Sequence, residues 1–177
     1  MTGASKRNTW VPKLRLMVTV LWKPRGPKPP ALDARDGEGM FRKFRVMFVD
    51  GGLYPLHLAI SPDWKVHYFS ADMGARPEPR AEERRFLDDM PRVLGARAWE
   101  ALEAIAETVG LDYFGVDFAL ARDGALSVFE ANAAMAMLDP PPEPIWDYRR
   151  PALAAARAAA REMVLRTALG NGGSARH

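Results

Sequence analysis

The sequence contains no cysteine. This absence excludes disulfide bonds, thiol nucleophiles and zinc sites built on cysteine. It also fits a reducing compartment, in which structural disulfides are rare, so we expect a cytoplasmic protein. The chain has 177 residues, of which 48% are hydrophobic, and is therefore long enough to form one domain with a real core.

Long apolar runs are also missing. A helix that spans a bilayer needs about 20 consecutive apolar residues, and the sequence has no such stretch. The short run at residues 16–22 follows basic residues, as in a signal peptide, but Lys23-Pro24-Arg25 comes directly after it without a cleavage site. We therefore expect a soluble chain with no membrane partner.

The beginning of the chain lacks acidic side chains. Residues 1–28 contain none, although the whole chain has 22 acidic and 25 basic residues and a net charge of only +3. The basic side chains of this stretch are Lys6, Arg7, Lys13, Arg15, Lys23, Arg25 and Lys28. The stretch ends in KPRGPKPPA, a basic, proline-rich segment that forms no regular element. Residues 1–31 are predicted to be a disordered, solvated tail. Contact with nucleic acid is the alternative, which we favour less.

Short signatures of common enzymes are absent as well. The chain has no GxxxxGK[ST] phosphate loop, no GxGxxG fingerprint and no HExxH zinc motif. His57 and His67 have no partner motif, so structural roles are predicted for them. Ser61 and Ser70 lack the context of a hydrolase nucleophile.

The patterns that are present favour an α+β fold, with an antiparallel sheet and flanking helices. Strands are predicted at residues 41–49 and 53–60, joined by a turn at Asp50-Gly51-Gly52, and Pro55 places the second of them at a sheet edge. Further predictions are an isolated strand at 14–22, a strand at 64–69, helices at 80–90, 96–109 and 148–169, a loop at 133–144 and a frayed end from residue 170.

The most informative stretch is residues 117–132, which reads DFALARDGALSVFEAN. Asp123-Gly124, with apolar runs on both sides, indicates a β-hairpin with a two-residue loop. Counting outward from that loop places Asp117 directly opposite Glu130. Phe118 then lies opposite Phe129 on the other face, which suits a core.

The two acids of this hairpin would lie roughly 5 Å apart at Cβ, where like charges repel, so we expect a cation between them. Asn132 shares the face of Asp117 and Glu130 and lies opposite Gly115, whose missing side chain leaves room for a metal-bound phosphate. Carboxylate and amide oxygens suit Mg²⁺ or Mn²⁺. Geometry alone leaves a metal site and a pair of solvent-facing acids equally open. A glycosidase pair is a further alternative, without other signs of a sugar cleft.

Several cations lie on the predicted strands. Arg45 stands in mid-strand, where alternation would place an apolar residue, and therefore needs an acidic or phosphate partner. Arg42 and Lys43 lie nearer the strand end and are predicted to be solvated. Lys65 and His67 share one face of their strand and are candidates to contact an anionic ligand.

The stretches FRKFRVMFVDGGLYPLHLAIS and GLDYFGVDFALARDGALSVFEAN together resemble the C-terminal half of an ATP-grasp domain. The likeness is nearest to the glutathione-synthetase-like and ribosomal-protein-modifying ligases and covers residues 33–132. It implies that Asp117, Glu130 and Asn132 are the Mg²⁺ ligands. It also implies that Arg45 is catalytic and faces the nucleotide phosphates or an acyl-phosphate.

The resemblance implies ATP and Mg²⁺ (or Mn²⁺) as cofactors, with Arg45 at the nucleotide. Lys65, proposed from its place on a strand face rather than from the resemblance, is the second candidate to bind ATP. Such ligases activate a carboxylate as an acyl-phosphate, which an amine or thiol then attacks. The chain departs from the family at Ile60, where members have a second arginine, and at SADMGARPEPR, which replaces a glycine-rich stretch.

Residues 32–170 are expected to form the ATP-grasp C-terminal subdomain, and residues 171–177 a frayed end. Residues 1–31 do not resemble the family's lysine-bearing subdomain, so we expect turnover only with that subdomain or a second chain that supplies it. The alternative is a non-catalytic remnant, or an interaction module with a basic tail. The carboxylate substrate and the nucleophile are not specified.

Overall fold

The computed structural model describes residues 39–62 and 73–172, with side chains as far as residue 169. In chain order the elements are β1 (Phe41–Val49), β2 (Gly52–Ser61), α1 (Pro77–Asp88), α2 (Met90–Val109), β3 (Tyr113–Leu120), β4 (Leu126–Asn132), a 3₁₀ helix (Pro144–Arg149) and α3 (Arg150–Gly172). The strands form one 4-stranded antiparallel sheet in the order β2-β1-β3-β4. The predicted α+β fold is therefore confirmed.

The first hairpin follows the prediction closely. β1 has the predicted bounds, and β2 is longer than predicted by one residue at each end. Asp50 and Gly51 both have positive φ, 52° and 80°, as a type I′ turn between paired strands requires. Pro55 lies on β2, an outer strand, as predicted. The segments predicted at 1–31 and 64–69, including Lys65 and His67, lie outside the described residues.

The helices begin or end at other residues than predicted. α1 begins at Pro77 rather than at residue 80, because proline is well suited to a first helical turn. Gly95, at φ 75° and ψ 166°, interrupts α2, so that the predicted helix at 96–109 is its second part. Gly110 ends it in the left-handed conformation. α3 begins at Arg150 rather than at residue 148 and continues to Gly172, three residues past its predicted end at residue 169.

The two faces of the sheet pack against different partners. Phe44 stacks on Phe118 at 5.3 Å, Phe48 stacks on Phe114 at 4.3 Å, and the cluster that they form continues into α1 and α2. The opposite face carries a smaller cluster that includes Met47 and extends to α3 and to the loop after β4. Within residues 39–62 and 73–172, no helix combines the length and the apolar character that crossing a bilayer requires.

The loop between β3 and β4 is one residue longer than predicted. The amide of Ala121 donates to the carbonyl of Ala125 at 2.8 Å, and the amide of Gly124 donates to the carbonyl of Ala121 at 2.9 Å. Gly124 has φ 78°. This is a type I turn followed by a left-handed glycine, the usual alternative to the two-residue turn.

The longer loop changes the pairing next to it. Phe118 lies opposite Val128, not opposite Phe129 as predicted. Phe129 is instead the extra residue of a β-bulge, and 57% of its surface is exposed. The extra residue of the bulge compensates for the extra residue of the loop. Beyond the bulge, Asp117 therefore pairs with Glu130 as predicted.

Candidate functional site

A row of polar side chains crosses the sheet from one edge to the other. His57 on β2 is paired with Arg45 on β1, which is paired with Asp117 on β3, which in turn faces Glu130 on β4. The phenylalanine cluster occupies the other face. Every strand therefore places one polar residue at the same level of the sheet, on the side of α3.

Both outer strands have a bulge at this level. On β2 the extra residue is Leu56, between the partners of Arg45 and Val46. On β4 it is Phe129, between the partners of Asp117 and Phe118. A bulge redirects the neighbouring side chains and is frequent beside active sites. On β2 it lets the consecutive residues Leu56 and His57 line one pocket.

Asp117 is the buried centre of the row. Its side chain has no exposed surface, and Arg45 holds it through Nε at 2.6 Å from Oδ1 and Nη2 at 2.8 Å from Oδ2. Lys43 Nζ lies 2.6 Å from Oδ2. Burial by itself raises the pKa of Asp117, but the hydrogen bonds and charges of Arg45 and Lys43 hold that pKa below its usual value.

Three expectations are decided by these contacts. The acidic partner predicted for Arg45 is Asp117. The solvated position predicted for Lys43 is wrong, because its side chain is only 19% exposed and contacts a carboxylate. The alternative of two solvent-facing acids is wrong for Asp117, which is fully buried. Arg42 also has an acidic partner, Glu82 of α1.

Glu130 and Asn132 form a second, more accessible part of the row. Asn132 Nδ2 donates to Glu130 Oε1 at 3.0 Å, and Asn132 Oδ1 accepts from the amide of Ala134 at 2.8 Å. Both side chains are partly buried. An amide oxygen has two lone pairs, so Asn132 Oδ1 keeps one for a metal while Nδ2 orients Glu130.

The space predicted opposite Asn132 does not exist. A Cβ added at Gly115 would meet Met135 Sδ at 2.2 Å and Met47 Sδ at 2.8 Å. The chain folds back after β4, and Tyr113 Oη donates to the carbonyl of Met135 at 3.0 Å. Gly115 therefore accommodates a methionine, not a metal-bound phosphate.

A cavity of about 80 Å³ lies beside Arg45, between the sheet and α3. It is lined by Arg45, Leu56, His57, Ala136, Leu138, Pro140, Arg149 and Leu153. Burial and the charge of Arg45 lower the pKa of His57 to about 3, so its imidazole is neutral at pH 7. Two guanidinium groups, a neutral imidazole and aliphatic walls suit a small anion with an apolar part. Pockets that enclose drug-sized ligands measure about 300–1,000 Å³, so a nucleotide does not fit inside this one.

Arg149 belongs to a buried network at the outer edge of β2. Glu83 of α1 accepts from Arg149 Nη2 at 2.5 Å and from Tyr148 Oη at 2.5 Å with one oxygen, and from the amide of Leu58 at 3.3 Å with the other. Arg149 also stacks over the ring of Trp146 at 4.3 Å. Burial raises the pKa of the Glu83 carboxyl, while the donors around it oppose that rise. The network ties the sheet edge to the beginning of α3 and orients Arg149 at the cavity.

Sequence reasoning missed Lys43 and Arg149 as site residues. Lys43 carried a usable signal, because it stands two positions before Arg45 in a strand and hence on the same face. Arg149 carried none, since its partner Glu83 is 66 residues away.

The candidate metal ligands are few. Among residues 39–62 and 73–172, no group of three or more carboxylate or imidazole side chains could hold a metal ion. A metal at the row would depend on Asp117, Glu130, Asn132 and oxygen atoms of its own ligand. The donor chemistry fits a divalent cation of the Mg²⁺ type. At Asp117 Oδ2 the ammonium of Lys43 occupies one of the positions that such a cation would take.

Comparison with known proteins adds no relative. No family model, no curated protein and no solved structure matches the chain.

Proposed function

We propose that the polar row is a Mg²⁺–ATP site of the ATP-grasp type, in a chain related to carboxylate–amine and carboxylate–thiol ligases. The observation that supports this proposal is the alignment of Arg45, Asp117 and Glu130 on three neighbouring strands. Carboxylates bind Mg²⁺, and a guanidinium group binds phosphate. A metal–phosphate ligand needs both kinds of group side by side.

Each residue of the row has a role in this proposal. Asp117 and Glu130 would hold Mg²⁺ or Mn²⁺, while Asn132 orients Glu130 and would offer its remaining lone pair. The metal would supply charge neutralisation at the phosphates. Arg45 is the catalytic cation that contacts the transferred phosphoryl group. Lys65, outside the described residues, remains a predicted nucleotide-binding residue.

The cavity beside Arg45 is the proposed place of the carboxylate substrate. Arg45 and Arg149 reach it from two sides, and the neutral His57 adds no further charge. Its volume of about 80 Å³ limits the enclosed part to a few heavy atoms, so the nucleotide would lie outside it. The amine or thiol nucleophile is not assigned.

The test is ligand-linked stabilisation. A ligand present at 100 times its Kd stabilises a protein by roughly 2.7 kcal/mol, so Mg²⁺–ATP should raise the melting temperature, whereas ATP with EDTA should not. Glu130→Gln should lose the dependence on Mg²⁺. Arg97→Met, which removes an exposed ion pair with Asp123 at the hairpin loop, is the matched control and should respond like the wild type.

Two outcomes would contradict the proposal. One is a folded wild-type protein whose melting temperature changes with neither Mg²⁺ nor Mg²⁺–ATP, as a non-catalytic interaction module would behave. The other is an unaltered Mg²⁺ response in Glu130→Gln.

A further inference from the structure

Lys43 occupies a position that no sequence motif explains. Its Nζ lies 2.6 Å from Asp117 Oδ2, the oxygen that Arg45 Nη2 also reaches, at 2.8 Å. A carboxylate offers about four acceptor sites, and Arg45 Nε takes another of them at Oδ1. A buried carboxylate is thus shared by two cations of the chain itself.

The two cations differ in how easily they can leave. Arg45 binds both carboxylate oxygens through its planar fork, a geometry that fixes it. Lys43 makes a single contact with a compact ammonium on a flexible stem. It is also the sole lysine among residues 39–62 and 73–172, where every other cation of the Lys/Arg type is an arginine.

We propose that Lys43 and a divalent cation compete for Asp117 Oδ2, and that Lys43 makes the site selective for the metal–nucleotide complex over the metal alone. This inference rests on the proposed function. A divalent cation can bind Oδ2 only when the ammonium moves away, because Lys43 Nζ and Arg45 Nη2 already take the roughly two acceptor sites of that oxygen. A metal that arrives with a triphosphate brings oxygens to which the ammonium can transfer, whereas a metal without nucleotide does not.

Arg42 is not a substitute for Lys43. Its Nη2 donates to Glu82 of α1 at 2.9 Å, on the other side of the sheet. Removal of the Lys43 charge still leaves Asp117 with the two hydrogen bonds from Arg45. The exchange of Lys43 should therefore change ligand selectivity without exposing a buried charge.

The experiment compares the binding of Mn²⁺ alone, by electron paramagnetic resonance, with the binding of Mn²⁺–ATP, by calorimetry. In Lys43→Met we expect Mn²⁺ to bind roughly ten- to a hundredfold more tightly, because the metal no longer displaces a charged hydrogen bond at Asp117. The affinity for Mn²⁺–ATP should change little, because the loss of the charged hydrogen bond from Lys43 to the triphosphate offsets the same gain. The preference for Mn²⁺–ATP over Mn²⁺ alone should therefore fall roughly ten- to a hundredfold. Lys43→Arg keeps the charge and should leave Mn²⁺ binding as weak as in the wild type. Arg97→Met should change neither affinity.

The outcomes separate this inference from the proposed function. If the wild type binds Mn²⁺–ATP but Lys43→Met changes both affinities by the same factor, or neither of them, the role of Lys43 is wrong and the metal–nucleotide site stands. If neither protein binds Mn²⁺ or Mn²⁺–ATP, the proposed function itself is wrong. Should Lys43→Met fail to fold, Lys43→Gln is used for the same comparison, since its amide keeps a donor near Asp117 without the charge.

Discussion

A fully buried aspartate is tolerated only where its charge is matched and its oxygens accept hydrogen bonds. Asp117 meets both conditions through Arg45 and Lys43. The mid-strand position of Arg45 was enough to predict an acidic or phosphate partner, because a charge among apolar residues requires one. It was not enough to identify that partner, since β1 and β3 are brought together only by the sheet.

The Arg45 contact should contribute strongly to stability. We expect Arg45→Met to lower the free energy of unfolding by roughly 3 kcal/mol. The reason is that Asp117 would stay buried without the guanidinium charge that offsets its own. The measurement is urea denaturation with an unchanged m-value. Adding Asp117→Asn to that variant should restore part of the loss. A loss no greater than that of Arg97→Met, whose ion pair is exposed and contributes less than about 1 kcal/mol, would contradict the prediction.

His57 should make stability depend on pH. Its pKa is lowered from 6.5 to about 3 in the folded protein, so between these values the unfolded chain binds more protons than the folded one. The contribution of His57 to the free energy of unfolding is then fully present above pH 6.5. It is lost as the pH falls, by up to roughly 1.4 kcal/mol per pH unit. Urea denaturation at pH 7, 6 and 5 measures this loss of stability.

The matched variant for this pH dependence is His57→Gln. It should show a shallower loss between pH 7 and 5, since the contribution of His57 is absent while the other titrating groups remain. The pKa of Asp117 is held below its usual value of 3.8, so Asp117 makes stability depend on pH only below about that value. It therefore contributes nothing to the slope between pH 7 and 5. Equal slopes in the two proteins would show that the imidazole is not shielded from protons.

At the level of the elements, the β3–β4 hairpin shows what a pattern predicts and what it leaves open. Counting outward from a two-residue loop placed Asp117 opposite Glu130, and this pairing holds because the bulge at Phe129 compensates for the longer loop. The Asp123-Gly124 pair did not decide the loop, because the same dipeptide suits a two-residue turn and the longer turn with a left-handed glycine. The structure has the longer turn, together with a bulge at Phe129.

The altered pairing can be checked by comparing two phenylalanines. Phe118→Ala should lower the free energy of unfolding by about 3–5 kcal/mol, since Phe118 is fully buried. Phe129→Ala should cost less than about 1 kcal/mol, because most of its surface is already exposed. Denaturation of both variants gives the answer. Similar losses would support the pairing predicted from the two-residue loop instead.

For the whole molecule, the α+β class followed from the order of strand-like and helix-like patterns, while the connection between layers did not. Glu83 is fully buried. It accepts hydrogen bonds from Leu58 of β2 and from Tyr148 and Arg149 of the 3₁₀ helix. In the sequence it is one of several charges in a helical segment. Only the long-range contact with Arg149 distinguishes it, and local patterns carry no such information.

The Glu83 network should hold the layers together as one unit. We expect Glu83→Ala to destabilise the protein by roughly 3–5 kcal/mol, because Arg149 would remain buried without its acid. Calorimetry measures the loss. The double variant with Arg149→Met should be more stable than Glu83→Ala alone, and a double variant that is less stable would indicate that packing rather than charge is responsible.

The bulge on β4 has a consequence for the length of the chain. Phe129 is paired with no residue, while Val128 and Glu130 on either side of it keep their partners Phe118 and Asp117. Deletion of this one residue would therefore shorten the hairpin and leave every other pair in place. The pairing of Glu130 with Asp117 therefore does not require Phe129, and the loss of this one residue should leave the row of polar side chains in place.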